Sequence, residues 1–189
     1  MHTLFPAESK YPEGFQYIPE FLTCQEETKL TAEVSNINLH TFIFRGFQAK
    51  RKVASFGYDY SFEKRNLTKG KEIPAVFHNL IQNVAAHINI PQEQFAELLV
   101  TEYPVGSVIN WHWDAPPFDV IVGVSLMANC TFRLRPHDKI KQGRGSIISF
   151  PVIRRSLYVI KGLARSDWQH SIAPVKEKRY SITLRTLKS

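Results

Sequence analysis

The residues with the clearest chemical potential are a histidine and an aspartate separated by one position, His112 and Asp114. On a β-strand, residues i and i+2 point to the same face, so both side chains could bind one metal ion. His170 lies near the start of another predicted strand and is the natural candidate for a third ligand. Two histidines and one carboxylate leave coordination positions open, as in the non-haem iron oxygenases.

This pattern is weak on its own, because a His-X-Asp sequence occurs by chance in many proteins. Taken alone, His112 is better explained as a buried histidine whose hydrogen bonds are satisfied. A second pattern favours the metal-ligand interpretation of His112. In residues 179–185, two arginines and two hydroxyl residues alternate with Tyr180, Ile182 and Leu184.

On a strand, this alternation would place Arg179, Ser181, Thr183 and Arg185 on one face. A buried arginine is costly unless it meets an anion. A dicarboxylic acid bound inside a barrel would supply that anion, because a guanidinium can bind a carboxylate through two hydrogen bonds. The alternative is an edge strand whose basic face is solvated.

The elements that position these residues begin with a helical front half. Thr23 and Glu26 match a capping box, which predicts a helix over about residues 24–36. Pro74 opens a second helix, in which apolar residues recur at helical spacing up to Ile88. Between the helices, residues 41–62 predict a hairpin or a pair of strands, with Gly46 and Gly57 as turn points.

From Ala96 onward, short β-branched and aromatic runs are separated by turn residues, which is typical of an antiparallel jelly roll. Strands are expected at 98–103, 107–111, 119–126, 130–135, 145–150, 156–160, 168–172 and 179–186. We predict a mainly β fold with flanking helices, in which a double-stranded β-helix (jelly roll) carries an N-terminal helix and hairpin extension. Residues 1–189 would form one domain, with the extension over about 1–95 and the catalytic core over about 96–189.

Composition narrows the class of protein. The chain has 189 residues, 43% of them hydrophobic, and a net charge of +7, which favours polyanionic partners and nucleic acid first. Many soluble proteins are nevertheless basic for no specific reason. No segment approaches the roughly 18 apolar residues that span a bilayer, and the N-terminus lacks signal-peptide features. We expect a cytoplasmic monomer in which Cys24 and Cys130, which match no zinc spacing, are reduced.

The order of the motifs resembles the AlkB family of Fe(II)- and 2-oxoglutarate-dependent dioxygenases. Residues 101–114 are similar to that family's N-x-Y-x-x-G-x-x-I-x-x-H-x-D motif, with Thr101 where the family usually has Asn. His170, Arg179 and Arg185 follow in the family's order. The resemblance covers roughly residues 40–189, and residues 112–117 and 167–172 look most like a bacterial AlkB-like branch.

The resemblance implies the metal and the reaction. His112, Asp114 and His170 would bind Fe(II), with 2-oxoglutarate and O₂ as cosubstrates. Oxidation of an N-alkyl group would release an aldehyde together with succinate and CO₂. Arg185, counted here among the catalytic residues, would lie near the keto-acid end of the cosubstrate and the substrate.

The resemblance also implies a cosubstrate site. Arg179 would pair with the distal carboxylate of 2-oxoglutarate, helped by Ser181 and by the hydroxyl of Tyr103. The family often has Asn where Ser181 stands, so that contact can be lost or mediated by water. Thr101 stands at the position of another asparagine that contacts the cosubstrate in the family.

A substrate-recognition lid is expected in residues 42–58, where cations alternate with aromatic residues. This pattern is typical of nucleic-acid binding and is similar to the family's nucleotide-recognition lid. Arg51 and Lys52 would contact the nucleic acid, and Phe56 and Tyr58 would form walls of a base pocket. Core packing is the alternative for the phenylalanines.

Three hypotheses follow. The leading one is an oxidative demethylase of alkylated DNA or RNA, which includes a role in DNA repair. The second keeps the iron chemistry but acts on a protein or a small molecule. The third is a nucleic-acid-binding jelly-roll module without catalysis, which leaves three metal-type ligands and two arginines unexplained.

Overall fold

Strands dominate the computed structural model, which describes residues 10–44 and 46–188. They are β1 (Phe15–Ile18), β2 (His40–Phe44), β3 (Phe47–Ser61), β4 (Asn66–Lys69), β5 (Phe95–Tyr103), β6 (Ile109–His112), β7 (Phe118–Leu126), β8 (Cys130–Pro136), β9 (Ile148–Val152), β10 (Leu157–Ile160), β11 (Trp168–Ile172) and β12 (Arg179–Leu187). The helices are α1 (Cys24–Ser35), α2 (His78–Ile88) and α3 (Gly162–Ser166). Residues 1–9 of the predicted N-terminal segment, and Arg45 in the predicted lid, lie outside the described residues.

The strands form two antiparallel sheets. The major sheet has the order β1-β10-β7-β12-β5-β3-β2, with β4 paired to β3, and the minor sheet has the order β6-β11-β8-β9. The predicted mainly β fold with a jelly-roll core is therefore confirmed. Each of the eight strands expected after Ala96 is present, with ends that differ by at most three residues from the predicted ones.

Alternation along β5 and β12 separates two cores. Leu98 and Val100 on β5 face the helices together with Ile182 and Leu184 on β12. The intervening residues of both strands face the space between the two sheets, where a second apolar cluster is centred on β8 and β9. Because β5 and β12 are neighbours in register, their inward residues form one continuous row.

Helix α1 is held at both its start and its middle. The capping box predicted from the sequence is present, since Thr23 Oγ1 accepts from the backbone N–H of Glu26 and the Glu26 carboxylate accepts from the N–H of Thr23. Further along, the buried carboxylate of Glu27 accepts hydrogen bonds from Arg154 and from the backbone N–H of Met127. These contacts fix the helix against the edge of the jelly roll.

The hairpin predicted over residues 41–62 is present as β2 and β3, and Gly46 lies at its turn as expected. Gly57 is not a turn point, because it lies inside the long strand β3. Its φ of +81° marks the place where β3 stops pairing with β5 and begins to pair with β4. A Cβ at this position would lie 2.1 Å from the carbonyl oxygen of Ala96, so a glycine is required.

The N-terminal half of the chain contributes strands to the major sheet. β1 and β3 are strands of the major sheet itself, paired with β10 and β5. The division near residue 95 and the single-domain organisation stay predictions.

Both cysteines are free, Cys24 exposed and Cys130 buried. Among the described residues, no helix has the length and the apolar character needed to cross a bilayer.

Candidate active site

Strand pairing in the minor sheet brings the two histidines together. His112 ends β6 and pairs in register with His170 on β11, and their ring centroids are 4.2 Å apart. Asp114 lies two residues beyond the end of β6, in the turn that leads to β7. Its Oδ2 is 3.5 Å from Nε2 of His170. The three predicted ligands thus meet at one end of the space between the sheets.

One histidine has a defined tautomer. Nδ1 of His112 lies 2.8 Å from the backbone oxygen of Asn110, and this carbonyl can only accept, so Nδ1 must carry the proton. Nε2 is then left with a lone pair for a metal ion. In metal-binding histidines, the ring nitrogen that does not bind the metal usually donates a hydrogen bond to a carbonyl or carboxylate oxygen.

The electrostatics favour the protonation states that metal ligands need. Burial lowers the pKa of His170 to about 3, with the neighbouring His112 adding to the shift. Burial also lowers the pKa of His112, although Asp114 acts in the opposite direction. Burial alone would raise the pKa of Asp114, but Arg185 and the two histidines outweigh it and lower the pKa. The site therefore contains two neutral imidazoles and one carboxylate at neutral pH.

Arg185 connects Asp114 to a second carboxylate. Its Nε and Nη2 donate to Oδ1 of Asp114 at 2.9 and 2.7 Å, and its Nη1 donates to Oε2 of Glu97. Oε1 of Glu97 accepts from the hydroxyl of Ser55 at 3.0 Å. The guanidinium occupies one oxygen of Asp114, whereas Oδ2 is buried and has no hydrogen-bond partner.

Arg179 is the most deeply buried charge of the site. Its side chain is fully buried, its Nε donates to Oγ of Ser125 at 3.1 Å, and its guanidinium lies 4.9 Å from the centroid of the Tyr103 ring. Nη1 and Nη2 have no hydrogen-bond partner. A buried guanidinium with two unpaired nitrogens is the complement of a carboxylate.

The other predicted cosubstrate residues line the same row. Ser181 pairs in register with Thr101, and Arg179 pairs with Tyr103 one repeat further along. The Ser181 hydroxyl donates to Oη of Tyr103 at 3.5 Å. The row is polar, buried and continuous, and it leads from Arg179 towards Arg185 and Asp114.

The predicted substrate residues fall on two faces of β3. Arg51 precedes Lys52, the first residue of β3 that pairs with β5, and lies 3.9 Å over the ring of Phe42. Alternation along β3 places it on the face that also carries Ser55, which donates to Glu97. Lys52 is on the other face, where its Nζ is 3.5 Å from Oε1 of Glu102.

The two aromatic residues expected to wall a base pocket also differ in position. Phe56 packs against the core under the helices, on the side of the sheet away from the histidines. Tyr58 follows the change of pairing partner at Gly57 and is partly exposed. Of the four predicted substrate residues, Arg51 shares a face of β3 with Ser55, a hydrogen-bond partner of Glu97. The substrate roles of all four stay predictions.

Two residues of the site were missed in the sequence. Glu97 is a carboxylate on the inward face of β5, and it is 3% exposed. The alternation that singled out β12 would also have identified Glu97 if it had been applied to β5. Arg165 on α3 donates to the backbone oxygens of Asp114, Ala115 and Phe118, and so holds the turn that carries Asp114. It lies outside the motifs and has no sequence pattern of its own.

The donor set fits iron(II). No three His, Cys, Asp or Glu side chains within residues 10–44 and 46–188 already stand in the arrangement of a metal-binding group. The nitrogen of His112 left free by its tautomer and the unpartnered Oδ2 of Asp114 are nevertheless the donors that such an ion needs, and His170 adds a third. Arg179, with its unpaired nitrogens, fits the distal carboxylate of 2-oxoglutarate.

Comparison with known proteins agrees with this donor set. A family model described as "2OG-Fe(II) oxygenase superfamily" matches residues 14–185. A protein of Arabidopsis thaliana named "Alkylated DNA repair protein ALKBH8 homolog" is 28% identical over 99% of this chain and 62% of its own length. The "RNA demethylase ALKBH5" of Bos taurus is 28% identical over 85% of this chain and 45% of its own length.

Solved structures share the fold. The structure of OsALKBH1 superposes with a TM-score of 0.76 at 13% identity and covers 93% of this chain and 98% of its own. A prolyl-4-hydroxylase of Pseudomonas putida gives a TM-score of 0.64 at 14% identity, with 93% of each chain covered. The predicted AlkB-like resemblance is confirmed, whereas the bacterial branch stays a prediction. This chain spans less than two thirds of the length of the two curated relatives.

Proposed function

This chain belongs to the 2OG-Fe(II) oxygenase superfamily, and we propose that within it the chain oxidatively demethylates alkylated nucleobases in DNA or RNA. The observation that carries the proposal is the buried Arg179, whose two unpaired nitrogens face the same interior as His112, Asp114 and His170. A non-catalytic module would leave this buried charge without a purpose. Family membership makes the chain an enzyme.

The proposed roles follow from the contacts. His112, Asp114 and His170 would hold Fe(II), and Arg179 would bind the distal carboxylate of 2-oxoglutarate, with Tyr103 beside it. When bound, Fe(II) with 2-oxoglutarate and O₂ supplies the oxidation of a C–H bond, and succinate and CO₂ are released. An N-methyl group hydroxylated in this way breaks down to formaldehyde and the free amine.

Arg185 has a positioning role in this proposal. Glu97 holds its Nη1, while its Nε and Nη2 hold Oδ1 of Asp114. The aspartate is thereby fixed with Oδ2 turned towards His170. Arg165 fixes the backbone of the same turn. Both arginines keep Asp114 ionised and oriented before the metal binds.

Three observations support nucleic acid as the substrate class. The chain carries a net charge of +7. Arg51 lies over the ring of Phe42 and so pairs a cation with an aromatic face, the combination that binds phosphates and bases. Finally, the names of the relatives refer to alkylated DNA repair and to RNA demethylation.

The cosubstrate test needs no knowledge of the substrate. Under anaerobic conditions, Fe(II) plus 2-oxoglutarate should give a weak visible charge-transfer band with the wild-type protein. His112→Ala should abolish the band, and the isosteric Asn110→Asp, outside the donor set, should retain it because only the backbone oxygen of Asn110 is used. A wild-type protein that gives neither the band nor uncoupled succinate contradicts the enzyme proposal.

The substrate test is a panel of methylated molecules. We expect formaldehyde from N-methylated DNA or RNA oligonucleotides and none from N-methylated peptides or free methylated amino acids. The reverse result would select the hypothesis of a protein or small-molecule substrate and would reject the nucleobase proposal. DNA and RNA versions of each oligonucleotide distinguish the two polymers.

A further inference from the structure

The outer face of the minor sheet carries two arginines that are not part of the site. On β8, Arg133 and Arg135 alternate with Phe132 and Leu134, which are buried between the sheets. Residues that alternate on a strand point to opposite faces. Both arginines therefore lie on the outside of the sheet whose inner face carries the proposed metal ligands.

Each of these guanidinium groups is fixed by its Nε. Arg133 Nε donates to Oγ of Ser171 at 3.0 Å, and Arg135 Nε donates to Oε1 of Gln169 at 2.8 Å. Both guanidinium carbons lie over the Trp111 ring, at 5.1 and 4.5 Å from its centroid. The side chains thus extend across β11 towards β6 and are ordered before any ligand binds.

The charge of this pair is not neutralised. Some arginines of the chain meet carboxylates, as Arg154 does at Glu27 and Arg185 at Asp114. Within the part of the chain that the structure describes, no ion pair joins Arg133 or Arg135 to an acidic side chain, and their bonded partners are neutral. Two ordered guanidinium groups that lie side by side on one face, without acidic partners, can bind an anionic molecule that carries several negatively charged groups.

We propose that the face formed by Trp111, Arg133 and Arg135, here the arginine–tryptophan face, binds the sugar–phosphate backbone of a single-stranded nucleic acid whose modified base lies in the active site. The proposal rests on the proposed function for its substrate class. The two arginines are one strand repeat apart, about 6.7 Å along β8, so they can contact different phosphates. Because only Nε of each arginine is used in these hydrogen bonds, the Nη groups can donate to phosphate oxygens.

The position of β6 explains how one strand can reach both places. β6 is at the edge of the minor sheet, and its consecutive residues Trp111 and His112 point outwards and inwards. A nucleic acid that leaves the site has to cross only this edge to reach the arginine–tryptophan face. A single strand can bend in this way, whereas a duplex is stiff over about 150 base pairs.

The test compares a long and a short oligonucleotide with the same methylated base. Fluorescence anisotropy would measure the binding of a twelve-nucleotide strand and a three-nucleotide strand to the full chain, between about 0.05 and 0.3 M salt. Arg133→Gln/Arg135→Gln is the test variant. Lys29→Glu is the control, because it removes the same two charge units at an exposed position of α1, which is not part of the minor sheet.

For the long strand, we expect the double glutamine variant to lose about tenfold in affinity and the slope of log K against log salt to become shallower by about 1.4, since each single-strand phosphate contact contributes about 0.7. The short strand should bind the variant and the wild type equally. Lys29→Glu should keep the wild-type slope. Arg133→Lys/Arg135→Lys should keep most of the slope but lose part of the affinity, because lysine lacks the Nε bond and the planar fork.

The outcomes separate this inference from the proposed function. Equal losses on both strands, or a slope unchanged by the glutamine variant, would overturn the inference while formaldehyde release still supports the function. A wild-type protein that binds no oligonucleotide would overturn both. If the glutamine variant does not fold, the lysine variant decides, since an unchanged affinity of that variant for the long strand overturns the inference.

Discussion

At the scale of single residues, the site contains two kinds of arginine. Arg185 is paired with Asp114 and Glu97, whereas Arg179 is buried with two unpaired nitrogens. The ion pairs of Arg185 stabilise the protein without ligand, whereas the unpaired nitrogens of Arg179 are available to bind a ligand. Substitutions of the two should therefore affect different properties.

Replacing Arg179 by Gln should weaken 2-oxoglutarate binding by about 10- to 100-fold, since a charged hydrogen-bond pair contributes roughly 1.5–3 kcal/mol. The free energy of unfolding should stay the same or rise, because a buried charge without an anion is removed. Titration with 2-oxoglutarate, followed by tryptophan fluorescence, measures the first property, and urea unfolding the second.

Arg185→Gln is the matched comparison. This change leaves Asp114 and Glu97 buried without their partner, so the free energy of unfolding of the metal-free protein should fall by about 2–3 kcal/mol. If Arg179→Gln destabilises the protein as much as Arg185→Gln does, then Arg179 has a structural partner and the cosubstrate role is contradicted.

The pH dependence of stability follows from His170. Burial lowers its pKa in the folded chain to about 3, against 6.5 for the exposed side chain. Between these pH values the unfolded chain binds a proton that the folded chain does not. The free energy of unfolding of the metal-free protein should therefore fall as the pH drops from about 6.5, by at most about 1.4 kcal/mol per pH unit.

His170→Asn removes this contribution. Urea unfolding at several pH values between neutral and about 4 should give a flatter profile for the variant than for the wild type. Equal profiles would show that His170 is not held in its neutral form. His112 remains in both proteins and adds a contribution of the same sign, so the difference between the profiles reports the loss of His170 together with its effect on the neighbouring Asp114.

The proposed metal ligands were easier to predict from the sequence than the residues that hold them in place. His112 and Asp114 were predicted from their two-residue spacing, and His170 from its place near a strand start and the resemblance to the AlkB family. Pairing of β6 with β11 brings the two histidines together. Glu97 was not predicted, although alternation along β5 marks its position. Arg165 was not predicted because a single basic residue has no sequence pattern until the fold shows what it faces. The assignment of the metal ligands stays a proposal.

At the scale of elements, β-branched and aromatic runs bounded by turn residues predicted the eight strands after Ala96. Several of these strands, such as β7, β10 and β12, are buried on both faces. The long strand β3 was less predictable. Its Gly57 was expected at a turn, but the strand continues through it and changes partner from β5 to β4. Sequence patterns do not distinguish a glycine that ends a strand from one that lets another backbone approach closely.

Gly57→Ala should therefore destabilise the protein more than Gly46→Ala. Both glycines have a φ of +81°, but a Cβ at Gly57 meets Ala96 at 2.1 Å, while a Cβ at Gly46 meets nothing within 4 Å. We expect a loss of about 1–2 kcal/mol at Gly46 from the backbone conformation alone, and at least about 2 kcal/mol more at Gly57. Thermal and urea unfolding measure both, and equal losses would contradict the close approach of β3 and β5.

At the scale of the whole molecule, the chain combines a jelly roll with a positive surface. The net charge of +7 was the first indication of a nucleic-acid partner. It does not by itself locate the binding surface, because net charge is a property of the whole chain. Arg51 beside the site and the arginine–tryptophan face behind it are two places where the fold concentrates that charge. A cytoplasmic location and a monomeric state stay predictions.

The central claim is that oxidation of 2-oxoglutarate is coupled to removal of a methyl group from a nucleobase. The most direct measurement is the ratio of formaldehyde to succinate produced on N-methylated oligonucleotides, with the unmethylated oligonucleotide and His112→Ala as controls. We predict a ratio near one on the methylated substrate and no formaldehyde from either control. Succinate produced at the same rate with and without the methyl group, and with no formaldehyde, would contradict the account.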